Sequence, residues 1–387
     1  MKVLIIGAGI IGAACARTMS RRGIDVTILE RGSAVGATSS AGEGNLLLSD
    51  KAPGPELALA TYSLDLWRRL PAALADEIGN FTSIEFEAKG GLVVATSAEE
   101  SAGLAQLAEA QRGAGVEARL LSVDETLELE PDVTPSMIAA VHYPQDAQVQ
   151  PTIATEALLA SARAAGARVL VDTLVTGSRR DASGRVVGLT TNRGDFDADH
   201  VVVAAGPWSG EVATRLGGTL DVGPRKGWLL VTTPMAHRIA HKVYDANYVG
   251  AVQSDGGERQ FATVLESTAA GTVLIGSSRE NVGFDADADV AAWGAIAARA
   301  VRLMPALRDA AIMRAYCGFR PFSRDHLPVI GADRDVAGLW YAAGHEGAGI
   351  GLAPGTAELL TALLLGAPTD IPAEPFSSLR PSLARAA

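Results

Sequence analysis

The sequence predicts an α/β fold in which a domain with a parallel sheet is interleaved with a second domain built on an antiparallel sheet (α+β). Two observations predict it. The chain begins with a strand, a glycine-rich loop, a helix and a second strand, which is the order of a parallel βαβ unit. Several later segments are strand-like runs that are bounded by glycines and have no helices regularly between them. Because domains usually hold about 100–200 residues, a chain of 387 residues has room for two.

The opening βαβ unit carries the spacing of a Rossmann-type dinucleotide site. A β-branched run leads into GAGIIG, helical spacing follows, and DVTILE gives a second strand that ends in Glu30. In this pattern Gly7 allows the tight turn, Gly9 lets the backbone approach a pyrophosphate, and Gly12 lets helix and strand pack closely. Glu30 lies where the acid that binds a ribose hydroxyl is expected. The unit therefore predicts a dinucleotide whose phosphates lie at the amino terminus of the first helix.

The later segments divide between the two domains. EFEAKGGLVVAT, GWLLVTT and GTVLIGSS are typical of antiparallel strands. PTIATEALLASARAAG instead predicts a helix that leads into the strand-like RVLVDTLV and the buried run HVVVAAG, which is α/β architecture again. The nucleotide-binding domain is thus predicted in three parts, residues 1–84, 146–222 and 321–387. The second domain, expected to bind the substrate, is predicted in two parts, residues 85–145 and 223–320.

Composition and charge argue against several classes of protein. Apolar residues make up 48% of the chain, which is ample for a core. The net charge of -11 argues against a nucleic-acid partner, because phosphate binding needs a cationic face. Cys15 and Cys317 match no metal or disulfide spacing, so we expect no metal site and a reducing cytoplasm. No stretch has the roughly 18 uninterrupted apolar residues of a membrane span, so we expect no transmembrane segment.

Two further glycine-rich segments favour FAD over NAD as the dinucleotide. RGSAVGATSSAGEGNLL follows Glu30 and offers backbone amides and hydroxyls to a long flavin nucleotide. AAGHEGAGIGLAPGTAELLTALLLG lies near the carboxyl terminus and leads into a predicted helix. The amino end of that helix would present positive potential to the pyrimidine side of a reduced flavin, which is negatively charged.

Four blocks of the sequence resemble the D-amino-acid oxidase superfamily of flavoproteins, which includes glycine oxidase, D-amino-acid dehydrogenase and monomeric sarcosine oxidase. They are GAGIIG with Glu30, ATSSAGEGN, VVVAAGPWSG, and GFRPFSRDHLPVIG followed by GHEGAGIGLAPG. The blocks occur in family order and span almost the whole chain. GEGNLLLSDKAPGPE is especially similar to the β subunits of D-hydroxyproline dehydrogenase, opine oxidase and hydrogen cyanide synthase, which work in complexes that pass electrons onward.

The resemblance implies FAD-dependent oxidation of the carbon–nitrogen bond of a small amino acid or secondary amine, by hydride transfer to the flavin. D-amino acids, D-hydroxyproline, glycine or sarcosine, and opines are all candidate substrates. The electron acceptor is open between oxygen, a quinone and a partner subunit. Two alternatives remain at this point: an NAD-dependent or hydroxy-acid oxidoreductase, and a non-catalytic flavin subunit of an electron-transfer complex.

By position, the resemblance also assigns roles to individual residues. Arg320, in GFRP, is expected to bind the substrate carboxylate, with a salt bridge at the surface or domain interface as the alternative. Tyr244 and Tyr248 lie in the predicted substrate domain and are expected to hydrogen-bond the substrate, although core packing is the alternative for at least one of them. Contacts with FAD are expected of Gly7, Gly9, Ile11, Gly12, Glu30, Arg31, Ser39, Ser40, Gly42, Asn45, Leu46, Val175, Ala205, Gly206, Trp208, Gly344, His345, Glu346, Gly347, Gly349 and Ile350.

Four residues have more than one reading. His345 and Glu346 either form structural hydrogen bonds or tune the flavin. Glu43 departs from the simpler glycine-rich pattern of glycine oxidase, and it either favours a substrate with a positive group or caps a helix. Cys317 lies at a distance from LPVIG that resembles the flavin-linked cysteine of monomeric sarcosine oxidase. Because GFRP follows it, as in family members that hold FAD non-covalently, we expect non-covalent FAD.

Overall fold

The structure is a computed structural model that describes residues 1–236, 239–247 and 259–383. In this part of the chain the helices are α1 (Ile10–Arg21), α2 (Pro55–Glu77), α3 (Ala98–Gly113), α4 (Val123–Leu129), α5 (Pro151–Ala164), α6 (Ser209–Arg215), α7 (Val290–Leu303) and α8 (Gly349–Leu365). The strands of the first half are β1 (Lys2–Ile6), β2 (Asp25–Leu29), β3 (Asn45–Leu46), β4 (Gly91–Ala95), β5 (Arg119–Leu121), β6 (Ala139–Tyr143), β7 (Ala147–Gln148), β8 (Arg168–Leu170), β9 (Val175–Arg180) and β10 (Val186–Thr191). They continue with β11 (Gly194–Asp197), β12 (His200–Val203), β13 (Val222–Thr232), β14 (Lys242–Asp245), β15 (Gln260–Ser267), β16 (Val273–Arg279), β17 (Ile312–Ser323), β18 (Val329–Ala332) and β19 (Leu339–Ala343).

The first sheet has the predicted Rossmann-type arrangement. Its strand order is β18–β19–β12–β1–β2–β8, and β19, β12, β1, β2 and β8 run parallel. Both faces of β1 are buried: Val3 and Ile5 join the core beneath α1, whereas Leu4 and Ile6 join the core beneath β9 and β10. This explains why β1 is a continuous apolar run rather than an alternating one.

The second sheet is mainly antiparallel, in the order β17–β13–β16–β15–β14–β4–β6–β5. The pair β14 and β4 runs parallel, which differs from the purely antiparallel expectation. Its strands come from two stretches of chain, and strands of the first sheet lie between them in sequence, so the two sheets are interleaved. β17 pairs with β13 as far as Ser323, past the predicted boundary at residue 320.

The two faces of β13 have different neighbours, and this difference positions the functional site. Trp228 and Leu230 belong to the core cluster that includes residues of α7. Gly227 and Leu229, one residue out of step, face a cleft between the two sheets. Side chains alternate between the faces of a strand, so one register fixes both surfaces.

Within the described residues, one helical segment, Glu346–Leu365, is long and apolar enough to cross a membrane. Of its most apolar window, 61% is buried inside the protein, and α8 packs against α1 and α2. A core helix passes the same test of length and composition, so the apolar residues of this segment are accounted for by packing.

Candidate functional site

A cleft of about 610 Å³ lies between the carboxyl ends of β1, β2, β12 and β19 and the inner face of β13 and β17. The carboxyl edge of a parallel sheet is the general ligand-binding edge of open α/β folds. One end of the cleft is lined by Glu30 and Arg31, and we call it the nucleotide end. The other, lined by Glu43, Leu229 and Arg320, we call the sheet end.

The glycine-rich loop after β1 makes the tight turn that the nucleotide end requires. Gly7 has a φ of 110°, and a Cβ there would lie 2.4 Å from the carbonyl oxygen of Ala204. The two oxygens of Glu30 accept hydrogen bonds from the amides of Ala8 and Gly32, both at 2.9 Å. Each carboxylate oxygen has a second lone pair. Glu30 therefore holds the loop and still has acceptor capacity for a hydroxyl of a ligand.

Ser39 connects the next loop to the start of α1. Its buried Oγ accepts the amide of Ile10 at 2.9 Å, so its own proton is left to donate toward the cleft. A Cβ on Gly9 would lie 3.1 Å from that oxygen, so the absence of a side chain at Gly9 leaves the backbone accessible beside Ser39. The first amides of a helix have no partner within the helix. Together these groups form a site for an anion.

An aromatic column joins the two walls beside the nucleotide end. The guanidinium carbon of Arg31 lies 3.9 Å from the centroid of the Trp208 ring. The Trp208 ring stacks on Phe284 at 4.8 Å between centroids, and Phe284 meets the ring of Phe319 edge-on at 5.3 Å. The column thus runs from the end of β2 to β17.

The loop before α8 holds two buried ionisable residues. His345 lies with Nε2 3.0 Å from Oγ1 of Thr356, and burial lowers the pKa of His345 to about 3, so its ring is neutral. Glu346 lies 2.8 Å from Nδ1 of His326 and 3.6 Å from Nη1 of Arg225. These contacts favour the structural reading of both residues, although both line the cleft.

Arg320 stands at the junction of β17 and the glycine loop before α8. Its Nη1 donates a 3.0 Å hydrogen bond to the carbonyl oxygen of Ser278. A Cβ on Gly227, which pairs with Gly318 across β13 and β17, would lie 2.1 Å from the same nitrogen and 2.6 Å from the carbonyl oxygen of Ser278. A glycine at residue 227 is therefore needed to make room for the guanidinium.

Glu43 brings a second charged group to the sheet end. Its Oε2 accepts a 3.1 Å hydrogen bond from Asn45, whereas its Oε1 is buried and has no hydrogen-bond partner among the described residues. A Cβ on Gly276 would lie 2.3 Å from Oε1. Burial raises the pKa of Glu43 to about 7, although the positive charges of Lys242 and Arg320 oppose the rise.

Behind Glu43, Lys242 and Glu266 form a buried ion pair between β14 and β15. Lys242 is 0% exposed and Glu266 is 3% exposed. A buried charge is tolerated when it is paired. Lys242 and Glu266 therefore neutralise each other, and together they add almost no net charge to the surroundings of Glu43.

Most of the predicted site residues come together in this cleft. It is lined by Gly7, Gly9, Ile11, Glu30, Arg31, Ser39, Gly42, Asn45, Val175, Ala205, Gly206, Trp208, His345, Glu346, Gly347, Gly349, Ile350 and Arg320. These residues come from loops, strands and helix starts that lie far apart in the sequence.

Four predicted cofactor residues do not line it. A Cβ on Gly12 would lie 2.0 Å from the backbone of the loop after β1, so this glycine serves helix packing. Ser40 donates to its own turn and lines a neighbouring cavity. Leu46 is 1% exposed in the core, and Gly344, with a φ of 78°, shapes the turn after β19.

The structure corrects the predicted role of Tyr244. Its hydroxyl bonds to Asp146 and to Ser49 in a fully buried network, and the residue does not line the cleft. Burial and the charge of Asp146 raise its pKa well above the usual range. Tyr244 therefore fixes the loop around Ser49 instead of contacting a ligand. The second predicted tyrosine, Tyr248, lies outside the described residues.

Cys317 faces away from the cleft. Gly318, Phe319 and Arg320 of β17 line the cleft, whereas Cys317 does not line it and packs on the core cluster that contains Trp228. Burial raises the pKa of its thiol, which disfavours the reactive thiolate. Cys15, the other cysteine, is fully buried in the core beneath α1.

A second cavity of about 590 Å³ adjoins the sheet end. Gly42 lines both cavities, and Val231 and Tyr316 continue the strand faces that line the cleft. Glu266 and the exposed Arg314 also line the second cavity. The inner face of the second sheet thus forms one wall of both the cleft and the second cavity.

Sequence reasoning missed most of the sheet wall. Gly227, Leu229, Gly318 and Phe319 line the cleft, and none of them was predicted as a site residue. The available signal was alternation: Gly227 pairs with Gly318 across β13 and β17, so both lie beside Arg320. Glu43 was noticed in the sequence, but its burial was not.

The residues of the cleft fit FAD. The nucleotide end offers an acceptor at Glu30 and an anion site at the start of α1, which suit the ribose and the pyrophosphate. Farther along, Oδ1 of Asn45 is buried and has no hydrogen-bond partner in the part of the chain that the structure describes, and α8 begins at Gly349 on the cleft wall. These groups suit the polar edge of a flavin.

Similar proteins match along nearly the whole chain. Glycine oxidase of Geobacillus kaustophilus is 32% identical over 383 residues, which cover 98% of this chain and 96% of that protein. Hydrogen cyanide synthase subunit HcnC of Pseudomonas aeruginosa is 26% identical over 416 residues, which cover 98% and 95%. The chain is thus more similar to this glycine oxidase than to HcnC.

The fold and the family agree with this similarity. A crystal structure of glycine oxidase from Geobacillus kaustophilus has a TM-score of 0.87 and 30% identity, and the match covers 98% of both chains. The family model DAO, described as FAD dependent oxidoreductase, matches residues 2–363 and so includes both walls of the cleft. The chain therefore belongs to the DAO family of FAD-dependent oxidoreductases.

Proposed function

We propose that the protein oxidises the carbon–nitrogen bond of a small amino acid or secondary amine to an imine. The observation that carries this proposal is Arg320, whose guanidinium lies in the same cleft as the cofactor loops. A guanidinium forms two parallel charged hydrogen bonds with a carboxylate, which fixes both position and angle. An amino acid held in this way keeps its α-carbon in a fixed orientation.

Held by the loops of the nucleotide end, FAD would supply the acceptor for the hydride of the α-carbon. The chain's own contribution is orientation and the exclusion of water. Arg320 holds the carboxylate, and the carbonyl oxygen of Ser278 fixes the guanidinium. Leu229 lines the cleft beside them and is 5% exposed. Positioning of this kind supplies much of the rate of such reactions.

The identity of the relatives favours an amine over a hydroxy acid as substrate. Glycine oxidase, by its name, acts on glycine, and the chain matches it along its whole length. An NAD-dependent enzyme does not fit the family match. A non-catalytic flavin subunit does not account for an arginine that another residue's carbonyl holds in the cleft. We therefore propose glycine, sarcosine or another small amino acid as the substrate class.

Four finer properties belong to the same proposal. We propose a cytoplasmic location, because Cys15 and Cys317 are free thiols. We propose non-covalent FAD, because Cys317 packs away from the cleft. We propose domain boundaries after residues 84, 145, 222 and 320. Partner subunits that accept electrons are a further proposal, supported by the similarity to HcnC, which is by name a subunit.

The test is an anaerobic screen of the FAD-loaded protein. Glycine, sarcosine, D-amino acids, proline derivatives and opines are added one at a time, and loss of the visible flavin absorbance is recorded. Glycolate and lactate are the matched controls, because they carry the carboxylate and a hydroxyl in place of the amine. We expect bleaching by at least one amine and by neither hydroxy acid. Bleaching by a hydroxy acid alone, or by none of these compounds, would contradict the proposal.

A further inference from the structure

Glu43 lines the sheet end of the cleft and carries a buried carboxylate oxygen. Asn45 holds Oε2, and Oε1 points toward Gly276, where there is no side chain. Among the described residues, Oε1 has no hydrogen-bond partner. A buried carboxylate oxygen without a donor is costly, so the position fits a ligand that brings an N–H group.

The other residues that line the described part of the cleft and could accept a proton either are engaged in contacts with the protein, are very weak bases, or lie away from the sheet end. Glu30 accepts two backbone amides, and Glu346 contacts His326 and Arg225. Burial lowers the pKa of His345 to about 3, which makes it a very weak base. Glu211 is exposed, in the first turn of α6. Glu43 is thus the carboxylate at the sheet end that remains available to a substrate.

We propose that Glu43 is a catalytic residue whose Oε1 accepts a proton from the ammonium group of the substrate, while Arg320 holds the substrate carboxylate. An N–H bond of the ammonium breaks, an O–H bond forms on Glu43, and the nitrogen keeps the electron pair. The neutral amine that results is the form that is oxidised, and the oxidation itself is unchanged. This inference rests on the proposed function.

The charges around Glu43 suit a proton acceptor. Burial raises the pKa of Glu43 to about 7, nearer to that of an amine than an ordinary carboxyl group has. The charged groups that face it are Lys242 on β14, Glu266 on β15 and Arg320 on β17. Tyr316 also lies on β17, and burial raises its pKa to about 12, so it stays neutral. Lys242 and Glu266 are paired with each other. Below its pKa Glu43 is protonated and cannot accept, so the reaction should weaken as the pH falls.

The first readout is a pH profile of Glu43→Gln, which keeps the size of the side chain and removes the proton acceptor. The FAD-loaded variant is compared with wild type on an amine that bleaches the wild-type flavin. At about pH 8 we expect kcat/KM of the variant to be on the order of 10²-fold below that of wild type. The difference in kcat/KM between variant and wild type should shrink to within about tenfold where the pH reaches the substrate's own amine pKa, because the solution then supplies neutral amine. Glu85→Gln is the matched control, since Glu85 lines the second cavity.

The second readout is binding without turnover. The probe is the substrate's carboxylic acid without its nitrogen, for example acetate where glycine is the substrate. Near about pH 8, Glu43→Gln should bind acetate as well as or better than wild type, because a like charge is removed. Arg320→Leu should weaken acetate binding. A purely structural role of Glu43 would weaken amine and acetate binding together, and this result would overturn the proposal.

The two proposals fail in different ways. If no amine bleaches the wild-type flavin, the proposed function is wrong and the role of Glu43 falls with it. If wild type is bleached and Glu43→Gln stays within about threefold of wild type over the whole pH range, only the role of Glu43 is overturned. Unchanged flavin content and thermal unfolding of Glu43→Gln ensure that a loss of turnover reports chemistry and not folding.

Discussion

At the nucleotide end of the cleft, Gly7, Glu30 and Ser39 belong to one short stretch of chain, whereas at the sheet end Glu43 comes from a loop and Arg320 from a strand far away in sequence. Gly7, Glu30 and Ser39 lie within the first forty residues and act through backbone amides and short hydrogen bonds. Glu43 and Arg320 meet only because the second sheet brings β17 beside the loop that contains Glu43. Cofactor binding therefore depends on local backbone geometry, and turnover on a few distant side chains.

The largest effect is expected at the sheet end, from Arg320→Leu. Loss of the carboxylate partner should cost about 2–5 kcal/mol of transition-state binding, measured as kcat/KM for the amino acid. Flavin content and spectrum should stay near normal, because the nucleotide end is untouched. Arg314→Leu, on the same face of β17 but at the second cavity, is the control and should have little effect. Turnover of Arg320→Leu within a few-fold of wild type would contradict the assignment of substrate binding to Arg320 at the sheet end.

The opposite pattern is expected of Glu30→Ala at the nucleotide end. A ribose hydroxyl loses a charged partner worth about 1.5–3 kcal/mol, or roughly tenfold or more in FAD affinity. The amides of Ala8 and Gly32 also lose their acceptor, so the loop itself should loosen. The measurement is flavin retained after dialysis. Asp25→Ala, at the exposed start of the same strand, should retain flavin like wild type. Equal retention by Glu30→Ala would refute the assignment.

The smallest effect is expected of Cys317→Ser. The thiol packs against the second core and not the cleft, so FAD should be bound without a covalent link in both proteins. After acid precipitation, the yellow colour should appear in the supernatant of wild type and variant alike. A coloured wild-type pellet that becomes colourless in Cys317→Ser would show that Cys317 reaches the flavin.

The same contrast explains which parts were predictable. The βαβ unit follows from spacing within about thirty residues, and β1, α1 and β2 form as the sequence predicts. The helix of residues 151–164 is equally local: Pro151 lies at its first turn, and the side chain of Gln150 caps it. Elements of this kind are predicted from neighbouring residues alone, without knowledge of how distant strands pair.

The sheet end depends on information that spacing does not contain. Alternation shows that Tyr244 and Lys242 share a face of β14, but not whether that face meets the cleft or a buried network. Asp146 and Ser49, which hold Tyr244, come from two other parts of the chain. Glu43 likewise reads as a polar residue in a glycine-rich loop, and only β16 with its bare Gly276 shows where its carboxylate lies.

The aromatic column bears on how fast a bound cofactor is released. Arg31, Trp208, Phe284 and Phe319 connect the two walls beside the nucleotide end, so we expect their contacts to slow the release of a ligand bound there. Each ring contact that must open would add to the barrier for release. We therefore expect the residence time of the cofactor to depend on how often these ring contacts open.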